Sequence, residues 1–241
     1  MNFIEKLQKI SGENNSRLCV GLDPADTHDL FEFNKRIIDE TSEFVCAYKP
    51  NIAFFEANGI VGLEALLETI EYIPDEIPVI LDAKRGDIGH TAAAYAKGIF
   101  EEFGADATTL NPYLGYDSIK PFADYKDKFS FVLCLTSNPS NKDFQKGIYL
   151  EVAKKVVEWN INENLGLVVG ATNPDQLKEI RAVAKDLLFL IPGVGAQGGD
   201  LKKTVKAGGK NIIINASRSI INSEDPAEEA KKLRNEINSF C

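Results

Sequence analysis

Eight short β-rich apolar runs, segments of helical periodicity between them, and a chain of 241 residues predict an α/β fold: a single domain closed as a (β/α)8, or TIM, barrel. The composition can fill such a core, with 44% hydrophobic and 26% charged residues and no Pro-, Gly- or Ser-rich linker to divide residues 1–241. Strands apolar on both faces need cover on both faces, which crossover helices supply in a parallel sheet. An open doubly wound sheet is the alternative closure of the same units.

The chain begins MNFIEKLQKI, where Glu5 and Lys6 among apolar residues predict an amphipathic helix at about residues 2–11 rather than a signal peptide. Strands are expected at Arg17–Gly21, Phe44–Tyr48, Pro78–Ala83, Ala107–Leu110, Phe129–Leu135, Gly166–Gly170, Leu187–Ile191 and Asn211–Asn215. The intervening helices are expected at Leu30–Ser42, Gly59–Tyr72, Thr91–Phe103, Gly147–Asn160, Pro174–Lys185, Asp200–Ala207 and Pro226–Ile237. Pro50 stops the second strand. Thr91 follows a Gly-rich turn, and Asn173-Pro174 and Asp225-Pro226 each put a capping residue before a first-turn proline. Gly195–Gly199 and Ala207–Gly209 are punctuation around the last two strands, not domain boundaries.

With 27 Lys and Arg against 36 Asp and Glu the net charge is −9, and no basic block offers a footprint for nucleic acid. Apolar stretches fall well short of the roughly 18 residues of a membrane-spanning helix. A cytoplasmic protein without membrane or nucleic-acid partners is expected. Cys19, Cys46 and Cys134 lie inside apolar runs and Cys241 ends the chain; none has CxxC spacing. His28 and His90 are too few for a histidine metal cluster, and no GxSxG elbow accompanies them. No cysteine- or histidine-based metal site is expected.

In a barrel of this kind the chemistry gathers at the C-terminal ends of the strands. Those ends carry Asp23, Lys49 with Asn51, Asp82 with Lys84 and Asp87, Asn111, Thr136 with Ser137 and Asn138, Asn173, Gln197, and Ser217 with Arg218. In VILDAKRGDIGHT, Asp82 and Lys84 are two residues apart at the end of an apolar strand, so both are expected on the face toward the barrel mouth. Asp87, after the Gly86 turn, can bring a second carboxylate to the same ammonium, leaving Lys84 poised to protonate a carbanion. A purely structural ion pair at a strand end is the competing reading. Lys49 adds a second ammonium on the neighbouring strand, and an alternating chain of four charges costs desolvation unless its members satisfy one another. Asp23 can face a sugar hydroxyl or cap the helix that follows; spacing alone does not choose. IPGVGAQGGD and NASRSI, at the ends of strands seven and eight, suit a phosphate, with Gln197 a neutral donor and Arg218 a bidentate clamp.

Over essentially its whole length the chain resembles the orotidine 5′-monophosphate decarboxylase family. The family's Asp-x-Lys-x-x-Asp signature stands as Asp82-Ala83-Lys84-Arg85-Gly86-Asp87, followed by Ile88 and Thr91, with Lys49 of YKPN and Asp23 of GLDP before it. PGVGAQGGD and SRSI look like its phosphate segments. The Ala-Lys-Arg-Gly form, with NPYLGYDS at Asn111–Ser118, is similar to one bacterial subgroup, and this departure bears on the loops and on Arg85.

The resemblance implies a TIM-barrel homodimer with shared active sites, converting orotidine 5′-monophosphate to uridine 5′-monophosphate in pyrimidine (UMP) biosynthesis with no cofactor. It implies that Lys84 protonates C6 of the pyrimidine, that Asp82 lies against the departing carboxylate, and that Lys49 orients that carboxylate and the ribose. Asp23 would hold ribose hydroxyls, Ser137 the pyrimidine edge, Gln197 and Arg218 the phosphate, with Asp87 and Thr91 arriving from the partner subunit. A related barrel group, similar to 3-keto-L-gulonate 6-phosphate decarboxylase and hexulose phosphate synthase, shares the signature but uses Mg²⁺ and sugar phosphates. A non-catalytic nucleotide-binding protein on the same scaffold is the third possibility, opposed by the complete set of four charges.

Overall fold

β-branched and leucine-rich runs bounded by polar turns become strands, and the computed structural model describes them within all residues except 26, 28, 173 and 195–199. Among the described residues the strands are β1 (Leu18–Leu22), β2 (Ala47–Pro50), β3 (Ile80–Arg85), β4 (Ala107–Leu110), β5 (Phe129–Leu135), β6 (Leu165–Val169), β7 (Phe189–Pro192) and β8 (Ile212–Ala216). They form one parallel eight-stranded sheet in the order β2-β1-β8-β7-β6-β5-β4-β3. Two isolated parallel bridges, Tyr48 with Val79 and Asn51 with Asp82, join β2 to β3, so the sheet curls round on itself as a nearly closed barrel.

The helices are α1 (Phe3–Glu13), α2 (Leu30–Thr41), α3 (Ile52–Glu56), α4 (Gly59–Tyr72), α5 (Gly89–Lys97), α6 (Lys120–Ala123), α7 (Tyr149–Trp159), α8 (Pro174–Val183), α9 (Leu201–Gly208), α10 (Arg218–Ile221) and α11 (Pro226–Ser239). α1 closes the base of the barrel. Its capping box pairs the Asn2 side chain with the Glu5 N–H at 3.0 Å and the Glu5 carboxylate with the Asn2 N–H at 2.9 Å. Phe3 then stacks on Phe129 at 4.9 Å and meets Phe131 edge-on at 6.0 Å. Asp225 caps α11 by accepting from the Glu228 N–H at 2.9 Å, with Pro226 in the first turn.

Several expected boundaries move. β2 starts at Ala47 because Ser42–Phe44 continues α2 as a 3-10 turn. The helix expected at Thr91–Phe103 begins at Gly89 and passes into a π-helical turn at Gly98–Glu102. α3, α6 and α10, of five, four and four residues, are too short to show a period in the sequence. The cap at Asn173 and the Gly195–Gly199 turn lie outside the described residues.

Candidate active site

Ile80 and Leu81 of β3 sink into the core, while Asp82 and Lys84 beyond them carry charge to the mouth. Asp82 is buried at the centre of an ion triad: Lys49 Nζ lies 2.9 Å from its Oδ2 and Lys84 Nζ 2.6 Å from its Oδ1. Lys49 is buried as well, whereas the Lys84 side chain is 48% exposed and reaches into the cavity. Burial alone would raise the Asp82 pKa, but the two ammonium groups and the hydrogen bonds from Lys84 and Thr109 hold it well below the usual carboxylate range. Burial likewise works against the charge on Lys49, yet the carboxylates of Asp82 and Asp23 carry its pKa above the ordinary lysine value. Both partners therefore stay ionised at neutral pH.

The period-two argument for Asp82 and Lys84 reaches the right face by the wrong route. Ladder pairing jumps from Leu81–Thr108 to Arg85–Leu110, and Lys84 has φ 46°, a left-handed backbone that lysine rarely adopts. A bulge, not pleat alternation, turns Lys84 back onto Asp82.

The triad lines a mouth cavity of about 250 Å³ that also meets Asp23, Ser137 and Arg218, with Leu133, Val168 and Leu190 as its apolar floor. Among the described lining residues Lys49, Lys84 and Arg218 face Asp23 and Asp82, an excess of one positive charge in a chain of net charge −9. That excess suits an anion. Asp23 does not cap the next helix; Asp29 does, accepting from the Glu32 N–H at 3.0 Å. Asp23 Oδ1 is buried without a hydrogen-bond partner among the described residues, leaving an acceptor at the cavity. Arg218, the first residue of α10, stands exposed at the rim, with no side-chain partner among the described residues.

Two glycines let the walls approach. A Cβ on Gly21 would stand 1.8 Å from Ser217 Oγ, and one on Gly170 would stand 2.8 Å from the Ser137 nitrogen. The ends of β1 and β8, and of β5 and β6, meet across these positions.

Asp87 and Thr91 do not join the triad within one chain. Asp87 is half-buried, its carboxylate accepting the Ile88 N–H at 2.8 Å, and Thr91 is exposed on α5. The expectation that Asp87 flanks Lys84 after the Gly86 turn is therefore corrected for the single chain: among the described residues Lys84 has one carboxylate partner, Asp82. Gln197 lies outside the described residues. Arg85 turns away from the cavity, pairing with Glu56 at 2.8 Å and lying 4.8 Å from the Tyr95 ring. The buried cysteines are poor nucleophiles, since burial pushes the Cys46 and Cys134 thiols up to about 12. Sequence reasoning missed Thr109, whose hydroxyl donates to Asp82 Oδ1 at 2.7 Å, and Asn215, whose buried Oδ1 lacks a partner among the described residues. Their signal was faint: two threonines inside ATTL and one asparagine inside IIINA.

Residues 16–233 match the profile of the orotidine 5′-phosphate decarboxylase / HUMPS family. An orotidine 5′-phosphate decarboxylase of Dehalococcoides mccartyi is 47% identical, the alignment covering 100% of this chain and 98% of that protein. Leishmania donovani OMP decarboxylase is 45% identical with a TM-score of 0.95, covering 100% of this chain and 99% of that one. Leishmania donovani UMP synthase is 47% identical with a TM-score of 0.96, and here the chain spans only 56% of the longer protein. A barrel with its charges at the C-terminal mouth, a family profile over most of its length and relatives this similar from end to end make the chain a member of the orotidine 5′-phosphate decarboxylase family.

Proposed function

We propose that the protein decarboxylates orotidine 5′-monophosphate to uridine 5′-monophosphate and CO2 in pyrimidine biosynthesis, acting as a cytoplasmic homodimer. The observation that carries this reading is the Lys49–Asp82–Lys84 triad lining the cavity, with Lys49 and Asp82 buried and Lys84 half exposed. Breaking the bond from C6 to the carboxylate leaves its electron pair on C6, and the ammonium of Lys84 delivers a proton there. Asp82 lies against the substrate carboxylate, and like charges side by side favour its departure as neutral CO2. Lys49 orients the carboxylate and the ribose. Asp23 accepts from ribose hydroxyls with its buried oxygen, which has no partner among the described residues. Ser137 meets the pyrimidine edge, and Arg218 with Gln197 clamps the phosphate. Phosphate binding energy far from C6 serves to hold the base against the triad.

Asp87 and Thr91 complete the site from the partner subunit. Their absence from the triad within one chain supports this, as do Ile88, Tyr113 and Leu114, exposed apolar residues on the neighbouring loops that a second copy would cover. The Mg²⁺-dependent sugar-phosphate chemistry gains no support from relatives bearing the orotidine enzyme's name. Direct assay decides: conversion of orotidine 5′-monophosphate that persists in excess chelator bears out the proposal, and loss of turnover on chelation, or none at all, refutes it.

A further inference from the structure

The bulge that aims Lys84 has a cost that one side chain meets. Four steps along β3, from Leu81 to Arg85, match two along β4, from Thr108 to Leu110. The Lys84 N–H thus falls out of the ladder, and the Thr109 hydroxyl accepts it at 2.9 Å. A hydroxyl has a single proton to donate, and that of Thr109 goes to Asp82 Oδ1 at 2.7 Å, the same oxygen that Lys84 Nζ approaches at 2.6 Å. The neighbouring Thr108 bonds instead to the Leu81 carbonyl at 2.8 Å and serves only the strands. Thr109 is buried and β-branched, so its χ1 is stiff and its oxygen is fixed in place.

We propose that Thr109 is a positioning residue, tying the left-handed backbone of Lys84 to the carboxylate of Asp82 so that ammonium and carboxylate are held at one geometry. The inference rests on the decarboxylase reading, because it acts through the proton donor named there. Thr109→Val keeps the shape and removes both bonds; Thr109→Ser keeps the hydroxyl and drops a methyl. With orotidine 5′-monophosphate as substrate and uridine 5′-monophosphate as binding probe, Thr109→Val should lower kcat roughly ten- to a hundredfold, the scale of a lost hydrogen bond to a charged group. KM and product affinity should stay within about threefold, and Thr109→Ser should recover most of kcat.

A Thr109→Val enzyme with kcat within about twofold of the parent overturns the inference, as does a Thr109→Ser enzyme just as impaired or a loss shared equally by KM. Should Thr109→Val fail to fold, the same split is required of Thr109→Ala, which removes the same bonds with less bulk. If the parent protein itself lacks turnover, the decarboxylase reading fails separately, and crystal structures of parent and Thr109→Val decide the positioning claim. A Lys84 backbone and Lys84–Asp82 contact unchanged in the variant overturn it; their loss supports it.

Discussion

At the base of the barrel the Phe3, Phe129 and Phe131 rings pack on one another, and Lys6 and the Val79 N–H both reach Asp106, at 2.7 and 2.9 Å. At the mouth the same sheet buries a carboxylate between two ammonium groups, bends lysine into a left-handed backbone, and leaves buried oxygens of Asp23 and Asn215 without a partner among the described residues. The base ties α1 to the starts of β3, β4 and β5. The mouth holds groups that would be better off in water, and their position is maintained by the base and the surrounding helices. One region is optimised for folding, and the other stores the interactions that a charged substrate would complete.

The sharpest way to break this contrast is to remove Lys84. Lys84→Ala should cost at least about 10²–10⁴ in turnover, the span of general acid catalysis. The melting temperature should change little, because the Lys84 side chain is half exposed. Turnover within tenfold of the parent in a folded variant would overturn its role as proton donor. Phe3→Ala inverts the pattern. Deleting a buried ring should lower unfolding free energy by about 3–5 kcal/mol in denaturant titration, while kcat of the folded fraction stays near the parent value. A variant of full stability would show that α1 is not the plug it looks to be.

Acid separates the two ends further. The Asp82 pKa is lower in the folded chain than in the unfolded one, so below the ordinary carboxylate value the unfolded state binds the extra proton and stability rises with pH. The contribution of Asp82 is therefore complete above about pH 4 and is lost as pH falls toward its folded value. The gap between the unfolding free energies of the parent and Asp82→Asn should narrow as pH falls below about 4; a constant gap would mean that the triad is not coupled to folding. Arg218→Ala should act on binding alone, raising KM by the equivalent of roughly 1.5–3 kcal/mol for a lost charge-assisted contact. An unchanged KM for the phosphorylated substrate would remove Arg218 from the phosphate site.

These two ends were unequally legible in the sequence. Fold class followed from apolar runs alternating with helical periods, and β4 and β5 match their expected limits because hydrophobic pattern and turn residues coincide there. Lys49, Asp82 and Lys84 could be read because charge at the end of an apolar strand is costly and therefore informative. The bulge at Lys84 was hidden, since a left-handed lysine leaves no mark when no glycine signals it. Thr109 was hidden for the opposite reason: threonine is an ordinary strand residue, and only the register of β3 against β4 reveals what its hydroxyl does. Asp87 shows a further limit, because proximity along the chain suggested a contact with Lys84 that the single chain does not make.

The smallest expected effect tests whether the mouth, unlike the base, needs a second copy of the chain. On the homodimer proposal each site draws Lys84 from one subunit and Asp87 from the other. A Lys84→Ala chain paired with an Asp87→Asn chain then has one site carrying both defects and one carrying neither. Each mutant homodimer is defective at both sites. Random pairing of equal amounts makes half the dimers mixed, with one intact site of two, so activity per chain should return to about a quarter of the parent level if sites act independently. Differently tagged chains show whether mixed dimers have formed, which separates failed exchange from failed rescue. Purified mixed dimers that stay inactive would place Asp87 in its own chain's site or couple the two sites, and the mouth would then be as self-contained as the base.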